Sequence, residues 1–314
     1  MTGFRFEHNL NNVEEIGSKE EKEFKDASPV IQVPRAKSPF DQPRQYLQNE
    51  YVYLILSYRA RGLAIGVNVN PDKLCNFDCV YCEVDRRIKG GKGVIKIDTL
   101  INELSQTLQS VYEGQLRQLP AFRDLPENLL ELKHVALSGD GEPTLCPQFA
   151  EIIEGMVHLR AIGQFPFFKI TLITNSSGLD LPWVQTGLKL LTENDEVWAK
   201  LDAGTQDFMN KINRPKVSIE KILSNIKLVG RKRPIIIQSL FPSIRNEFPL
   251  DKEIEQYAQR LLELKNSGVQ ISYVQIHSAR RPVTNPECEH LPLKVLSKIA
   301  KTVRDLTGLK VEVY

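Results

Sequence analysis

The residues best suited to chemistry are three cysteines in the segment 74–82, LCNFDCVYC. Cys75, Cys79 and Cys82 follow the spacing C-x3-C-x2-C. Thiolates in one tight loop can bind three corners of an iron–sulfur cube, and no fourth cysteine lies nearby for the last iron. That iron is then open to an exogenous ligand, because catalytic metal sites keep one coordination position free.

Structural zinc is the alternative use of these thiolates. Zinc sites usually combine two separated ligand pairs, whereas these three cysteines overlap and no histidine lies beside them. The other two cysteines, Cys146 and Cys288, are solitary. The spacing therefore favours the iron–sulfur cube over zinc.

Composition and charge limit the class of protein. The 314 residues carry 41 Lys plus Arg and 39 Asp plus Glu, a net charge of +2, which argues against a main role in neutralising a nucleic-acid backbone. Five cysteines are a poor disulfide framework for this length. No secretory leader is visible, and no run approaches the roughly 18 apolar residues of a membrane span. The sequence predicts a cytoplasmic protein that does not span a membrane.

Two regions follow one another along the chain. Residues 1–50 hold four prolines and 16 charged residues without a sustained apolar period, which predicts an extended or partly disordered arm. Residues 51–314 are predicted to form one domain, in which short apolar runs alternate with amphipathic stretches. Such alternation is typical of βαβ units and a parallel sheet, so the expected fold is α/β, a partial (β/α)6 TIM-like barrel. The predicted strands are Leu63–Val69, His134–Ser138, Phe168–Thr174, Glu196–Asp202, Pro234–Leu240 and Ser272–His277. The predicted helices are Thr99–Leu119, Gln148–Ala161, Leu181–Thr192, Ile219–Val229, Ile254–Lys265 and Leu293–Leu306.

Polar or unusual residues follow the end of every predicted strand. In parallel barrels the chemistry lies on the loops after the carboxyl ends of the strands, so these residues are expected to form one site. The cysteine run follows the first strand. The later strand ends carry GDGEPT (139–144), TNSS (174–177), the pair Lys200 and Asp202, QSLFPS (238–243) and HSARRP (277–282).

With Tyr81 just before Cys82, the cysteine run resembles the hallmark C-x3-C-x-aromatic-C of the radical S-adenosylmethionine (radical SAM) superfamily. The resemblance extends in motif order from about Leu63 to His277. It implies that a [4Fe-4S] cluster on these cysteines binds S-adenosylmethionine (SAM) through the methionine amino and carboxylate groups. It also implies that an electron, delivered by a donor such as flavodoxin or ferredoxin, cleaves SAM to a 5′-deoxyadenosyl radical that abstracts hydrogen from a substrate.

The resemblance also implies roles for strand-end residues. Glu142 is expected to hold the methionine amine and Lys200 its carboxylate. Asp202 is expected on the ribose, with a buried Lys200–Asp202 ion pair as the equal alternative. From the residues themselves we expect His277 as a catalytic residue, with a satisfied core histidine as the alternative. Arg280, or its neighbour Arg281, is expected as a clamp for a carboxylate or phosphate, with solvated loop charges as the alternative. The other expected cofactor-binding residues are Tyr81, Gly139, Asp140, Gly141, Asn175 and Gln238.

Two further segments point to a branch of the superfamily. DAGT at 202–205 and INRP at 212–215 resemble the tRNA wyosine-synthase type, and NPDKLCNFDCVYC resembles the bacterial iron–sulfur oxidoreductases grouped with it. Residues 1–74 contain no cysteine for the second cluster of wyosine synthases. The clusters of basic residues along the chain are short. The segment RRIKGGKG at 86–93 is interpreted as a flap at the cluster mouth or a docking site for the electron donor. We therefore expect a small-molecule substrate, with tRNA modification or a non-enzymatic zinc-binding module as alternatives.

Overall fold

The computed structural model describes residues 47–57, 59–280 and 283–314. The predicted arm lies outside the described residues apart from positions 47–50, and so does Arg281. The strands are β1 (Val52–Ser57), β2 (Gly62–Val67), β3 (Leu132–Leu137), β4 (Ile170–Thr174), β5 (Glu196–Lys200), β6 (Ile235–Leu240), β7 (Ser243–Ile244), β8 (Ile271–His277), β9 (Cys288–Glu289) and β10 (Val311–Val313). The helices are α1 (Ile97–Tyr112), α2 (Glu127–Leu130), α3 (Phe149–Ala161), α4 (Pro182–Leu188), α5 (Gln206–Ile212), α6 (Ile219–Gly230), α7 (Asp251–Asn266) and α8 (Leu293–Thr307).

An eight-stranded sheet with the order β1-β2-β3-β4-β5-β6-β8-β10 organises the chain. Strands β2, β3, β4, β5, β6 and β8 run parallel to one another, which confirms the α/β partial barrel with six βα units. β1 adds an antiparallel strand at one edge, and β10 adds a parallel strand at the other. The turn between β1 and β2 approaches the far edge, where Arg61 lies 4.0 Å from Glu312.

The strands are made of consecutive apolar residues because both faces of the sheet are covered. All six residues of β2 and of β6 are buried, as expected for parallel strands with helices on one face and a packed interior on the other. Helix α1 illustrates the outer layer, since Leu100, Leu104 and Leu108 recur every four residues and are fully buried. In the described part of the chain, no helix is long and apolar enough to cross a bilayer.

The structure differs from the sequence prediction at several element ends. α1 stops at Tyr112 instead of Leu119, because Gly114 adopts a left-handed conformation (φ 72°) and a short 3-10 turn follows. β5 ends at Lys200, so Asp202 lies beyond the strand in which it was expected. β1, β10 and α5 were not predicted.

Candidate active site

A cavity of about 380 Å³ lies at the carboxyl ends of the parallel strands. Its lining brings together every described candidate site residue except Asp202. Segments far apart in sequence thus meet at one place, as the parallel topology requires. The candidate residues that line it are Cys75, Cys79, Tyr81, Cys82, Gly139, Asp140, Gly141, Glu142, Asn175, Lys200, Gln238, His277 and Arg280.

The cysteine loop is held in place by backbone hydrogen bonds from two sides. On one side the Glu142 amide donates to the Leu74 carbonyl at 2.8 Å. On the other, the amides of Asp78 and Val80 donate to the carbonyls of Asn213 and Ile212 at 3.0 and 2.8 Å. The loop has no strand or helix of its own, so these contacts fix where the cysteines lie.

Each cysteine sulfur accepts a hydrogen bond from a different side chain. The donors are Asn175 to Cys75 (3.8 Å), Asn213 to Cys79 (3.5 Å) and Arg86 to Cys82 (3.4 Å). The Phe77 amide adds a bond to the Cys75 sulfur at 3.4 Å. Sulfur atoms that already receive N–H donors are prepared for the thiolate state that metal ligation requires.

Burial acts in the opposite direction on two of these thiols. It raises the pKa of Cys75 to about 11 and that of Cys79 to about 12. Metal binding therefore has to displace protons from these sulfurs. Among the described residues, no three His, Cys, Asp or Glu side chains are grouped around the position of a single metal ion. The donor set fits a four-iron cube, in which each cysteine binds a separate iron.

Glu142 is a buried carboxylate that receives only neutral donors. Its side chain oxygens accept hydrogen bonds from the Thr144 amide (3.1 Å) and hydroxyl (2.6 Å), from the Thr174 hydroxyl and from the Asn175 amide (2.7 Å). The residue is 3% exposed, and burial raises the pKa of its carboxyl. A buried acid of this kind, facing a cavity, fits an incoming ammonium group, because the pair would compensate the cost of desolvation.

The two glycines of the same segment lie in close contact with the loop that follows β2. A Cβ on Gly141 would lie 2.1 Å from the Leu74 carbonyl oxygen, and one on Gly139 would lie 2.4 Å from Asn68 Oδ1. The Asn68 amide in turn donates to Asp140 at 2.9 Å. Both glycines therefore allow this segment to pack against the loops that follow β2.

Asp202 is a buried carboxylate that contacts the side chains around the cysteine loop. Oδ1 accepts the Leu240 amide at 2.8 Å, while Oδ2 accepts the Asn213 side chain at 2.9 Å and the Tyr81 hydroxyl. The Lys200 ammonium lies 3.7 Å from Oδ2, which is the buried ion pair that the sequence left as the alternative. Both oxygens thus have protein partners, and Asp202 does not line the larger cavity, while its contact with a ribose stays a prediction.

Tyr81 is held between this acid and the cavity. The Asn213 side-chain amide donates to its hydroxyl at 2.6 Å, and the Lys200 ammonium lies 5.0 Å from its ring centroid. Burial, followed by the negative charge of Asp202, raises the pKa of Tyr81 well above its usual value. The phenol is therefore neutral and acts as a hydrogen-bond donor.

The residues expected to contact the substrate line the same cavity from β6 and from the end of β8. Burial, then the charges of Arg59, Lys200 and Arg280, lower the pKa of His277 well below its usual value, so its imidazole is neutral. His277 Nδ1 is buried and has no hydrogen-bond partner among the described residues. The Gln238 amide donates to Gln275 at 3.1 Å.

The segment 86–93 was interpreted as a flap, and the structure places it against the cysteine loop. The Lys73 ammonium donates to the carbonyls of Asp85 and Ile88, both at 2.8 Å. The Gly91 amide donates to the Pro71 carbonyl at 2.7 Å. These contacts hold the segment beside the entrance to the cavity.

Comparison with known families identifies the chain. A family model described as the radical SAM superfamily matches residues 69–247, more than half of the sequence. This chain belongs to the radical SAM superfamily. Enzymes of this superfamily use a [4Fe-4S] cluster and SAM, which supports the predicted cofactors over a non-enzymatic zinc-binding module.

The relatives agree with the branch predicted from the sequence. A UPF0026 protein of Helicobacter pylori is 30% identical over 175 residues, which are 54% of this chain and 48% of that protein. The match thus spans about half the length of that relative. A UPF0026 protein of Synechocystis is 28% identical over 276 residues, 80% of this chain and 91% of that protein. The S-adenosyl-L-methionine-dependent tRNA 4-demethylwyosine synthase TYW1 of Mus musculus is 24% identical over 177 residues, 53% of this chain and 22% of that protein.

Solved structures support the fold. TYW1 with a lysine-pyruvate adduct bound has a TM-score of 0.54 and 19% identity, covering 83% of this chain and 85% of that one. A radical SAM methyltransferase from Sphaerobacter thermophilus has a TM-score of 0.57 and 14% identity, covering 84% and 68%. These similarities establish a shared architecture for the barrel.

Proposed function

We propose that the chain cleaves SAM reductively at a cluster held by Cys75, Cys79 and Cys82, and that the substrate is a small molecule bound in the same cavity. One observation carries this proposal: the three sulfurs and the buried carboxylate of Glu142 face one cavity. When bound, the cluster and SAM supply a 5′-deoxyadenosyl radical for hydrogen abstraction from the substrate. The chain's own residues bind, orient and shield these groups.

Residues on the cluster side orient the methionine end of SAM. Glu142 accepts the ammonium group, and Lys200 donates to the carboxylate with N–H groups that its 3.7 Å ion pair to Asp202 leaves available. Asp202 fixes the positions of Lys200 and Tyr81 from behind the cavity wall. Asn175, which donates to Cys75, joins the cluster side to the strand end that follows β4.

Residues of β6 and of the end of β8 are proposed to contact the substrate. Gln238, His277 and Arg280 line this part of the cavity, and His277 is the catalytic candidate because its neutral ring has an unpartnered nitrogen. Arg280 is exposed at the mouth, where it can bind a carboxylate or phosphate. A cavity of about 380 Å³ is within the range of small-molecule sites. A donor such as flavodoxin or ferredoxin would supply the electron.

The matched relatives include enzymes named for tRNA, so the test has to separate a small molecule from tRNA. After anaerobic reconstitution we expect a brown protein with about four irons per chain. SAM should change the paramagnetic resonance spectrum of the reduced cluster, because one iron has no protein ligand. A colourless protein with stoichiometric zinc would contradict the cofactor assignment. So would an intact cluster whose spectrum does not change when SAM is added.

Filter binding of bulk tRNA at two salt concentrations tests the substrate class. We expect nonspecific binding, with a Kd of roughly 10⁻⁴–10⁻⁶ M at physiological salt, because basic and acidic residues are nearly balanced and the basic clusters are short. Production of 5′-deoxyadenosine should be the same with and without tRNA. Submicromolar binding at physiological salt, or stimulation of SAM cleavage by tRNA, would instead establish the tRNA-modifying alternative.

A further inference from the structure

The three side chains that donate to the cysteine sulfurs differ in charge. Asn175 and Asn213 are neutral amides that come from other parts of the barrel. Arg86 is a cation, lies four residues after Cys82 and makes the shortest of the three side-chain contacts, 3.4 Å from its Nη1 to the Cys82 sulfur. The sulfurs therefore meet one positive charge among their three side-chain donors.

Arg86 is directed toward the sulfurs as a group. Its side chain lines the same cavity as Cys75, Cys79 and Cys82. Its Nε is buried and has no hydrogen-bond partner among the described residues. The guanidinium is thus partly withdrawn from solvent and held beside the sulfurs.

The neighbouring arginine provides a contrast within the same sequence. Arg87 donates to Asp85 through Nε at 2.9 Å and Nη2 at 2.8 Å, and its side chain is 84% exposed. The two adjacent arginines therefore have different environments. Of the two, Arg86 is the one that contacts a cysteine sulfur.

A cation next to a cluster ligand affects the two redox states unequally. Reduction adds one negative charge, which a nearby positive charge stabilises more than it stabilises the oxidised state. Hydrogen bonds to the ligating sulfurs act in the same direction, and charged donors make stronger bonds than amides. Partial burial reduces the screening of this interaction by water.

We propose that Arg86 is a positioning residue that raises the reduction potential of the cluster through its contact with Cys82. The proposal rests on the proposed function, since it requires that the triad hold a cluster. It assigns to RRIKGGKG a role beyond a flap, because the first residue of that segment reaches inward to the sulfurs. The electron itself still comes from the external donor, and Arg86 changes only how readily the cluster accepts it.

The test is a redox titration of the reconstituted protein, with the reduced cluster measured by paramagnetic resonance. Arg86→Gln should make the midpoint potential more negative than in the wild type. Arg87→Gln removes the same charge one residue away and should leave the midpoint unchanged. Equal shifts in both variants, or no shift in Arg86→Gln at full iron content, would overturn the proposal.

A second variant covers the case in which Arg86→Gln does not retain its iron. Arg86→Lys keeps the charge but loses the guanidinium contact, so its midpoint should move in the same direction by a smaller amount. A wild-type midpoint in Arg86→Lys would then contradict the proposal. Failure of the wild-type protein to bind about four irons would instead refute the proposed function, which keeps the two outcomes distinct.

Discussion

Replacing Glu142 with Gln removes one charge from the cavity while preserving the size of the side chain. Oε1 already accepts hydrogen bonds from the Thr144 amide and hydroxyl and from the Thr174 hydroxyl, whereas Oε2 accepts only the Asn175 amide. Oε2 is therefore the oxygen with capacity left for an ammonium N–H. In Glu142→Gln a neutral amide takes the place of the carboxylate, so the charge-assisted bond to SAM is lost.

The size of this loss follows from the type of bond. A hydrogen bond to a charged group contributes about 1.5–3 kcal/mol, and about 1.4 kcal/mol corresponds to a tenfold change in Kd. SAM should therefore bind to Glu142→Gln roughly tenfold to over a hundredfold more weakly. Since the cysteines are unchanged, the iron content should equal that of the wild type.

The raised pKa of Glu142 adds a dependence on pH. Only the carboxylate attracts the ammonium, so wild-type affinity should be highest above this pKa and should be lost as the pH falls through it. That component of the pH dependence should disappear in Glu142→Gln, because an amide does not titrate.

Anaerobic equilibrium dialysis with SAM across several pH values measures both effects. Glu151→Gln, an exposed substitution in the first turn of α3, is the matched control and should bind as the wild type does. An unchanged Kd in Glu142→Gln, at full iron content, would exclude Glu142 from the SAM site.

Two further predictions concern the cluster and the network behind it. Alanine at any cysteine of the triad should prevent stable cluster binding, whereas Cys146→Ala and Cys288→Ala should keep the wild-type iron and sulfide content; loss of iron in either of these would indicate a different ligand set. Asn213→Ala should lower the free energy of unfolding of the cluster-free protein by about 1–3 kcal/mol, because it removes a buried donor from Asp202. Asn210→Ala, at an exposed position of α5, should change it by no more than about 0.5 kcal/mol, and equal urea midpoints for the two variants would contradict the buried role of Asn213.

Much of the barrel could be predicted because its strands are buried on both faces. Apolar runs such as KITLIT and PIIIQSL stand out from the amphipathic stretches between them, and the parallel topology then places all strand ends at one site. β1 was missed because its connection to β2, residues 58–61 (YRAR), lacks the Asn-Gly or Asp-Gly signal of a hairpin. β10 has only three residues, too few for a reliable period.

The positions of individual side chains could be predicted where a sequence motif specifies them. They were harder to predict where they depend on the path of the backbone. Lys200 and Asp202 were placed on one face because alternate residues of a strand share a face. The two side chains do meet, at 3.7 Å, but β5 ends at Lys200, and the contacts of Asp202 with Tyr81 and Asn213 could not be predicted from the alternation. The sequence does not distinguish Arg86 from Arg87. Their different contacts, with Cys82 and with Asp85, arise only in the folded chain.

The segments DAGT and INRP, which first indicated the wyosine-synthase branch, have a structural meaning in this barrel. Ile212 and Asn213 accept backbone hydrogen bonds from the cysteine loop, and the Asn213 side chain contacts Cys79 and Asp202 at once. These contacts hold the cysteine loop in place, and they do not depend on which molecule enters the cavity. The proposed substrate contacts Gln238 and His277 come from other elements, β6 and the end of β8.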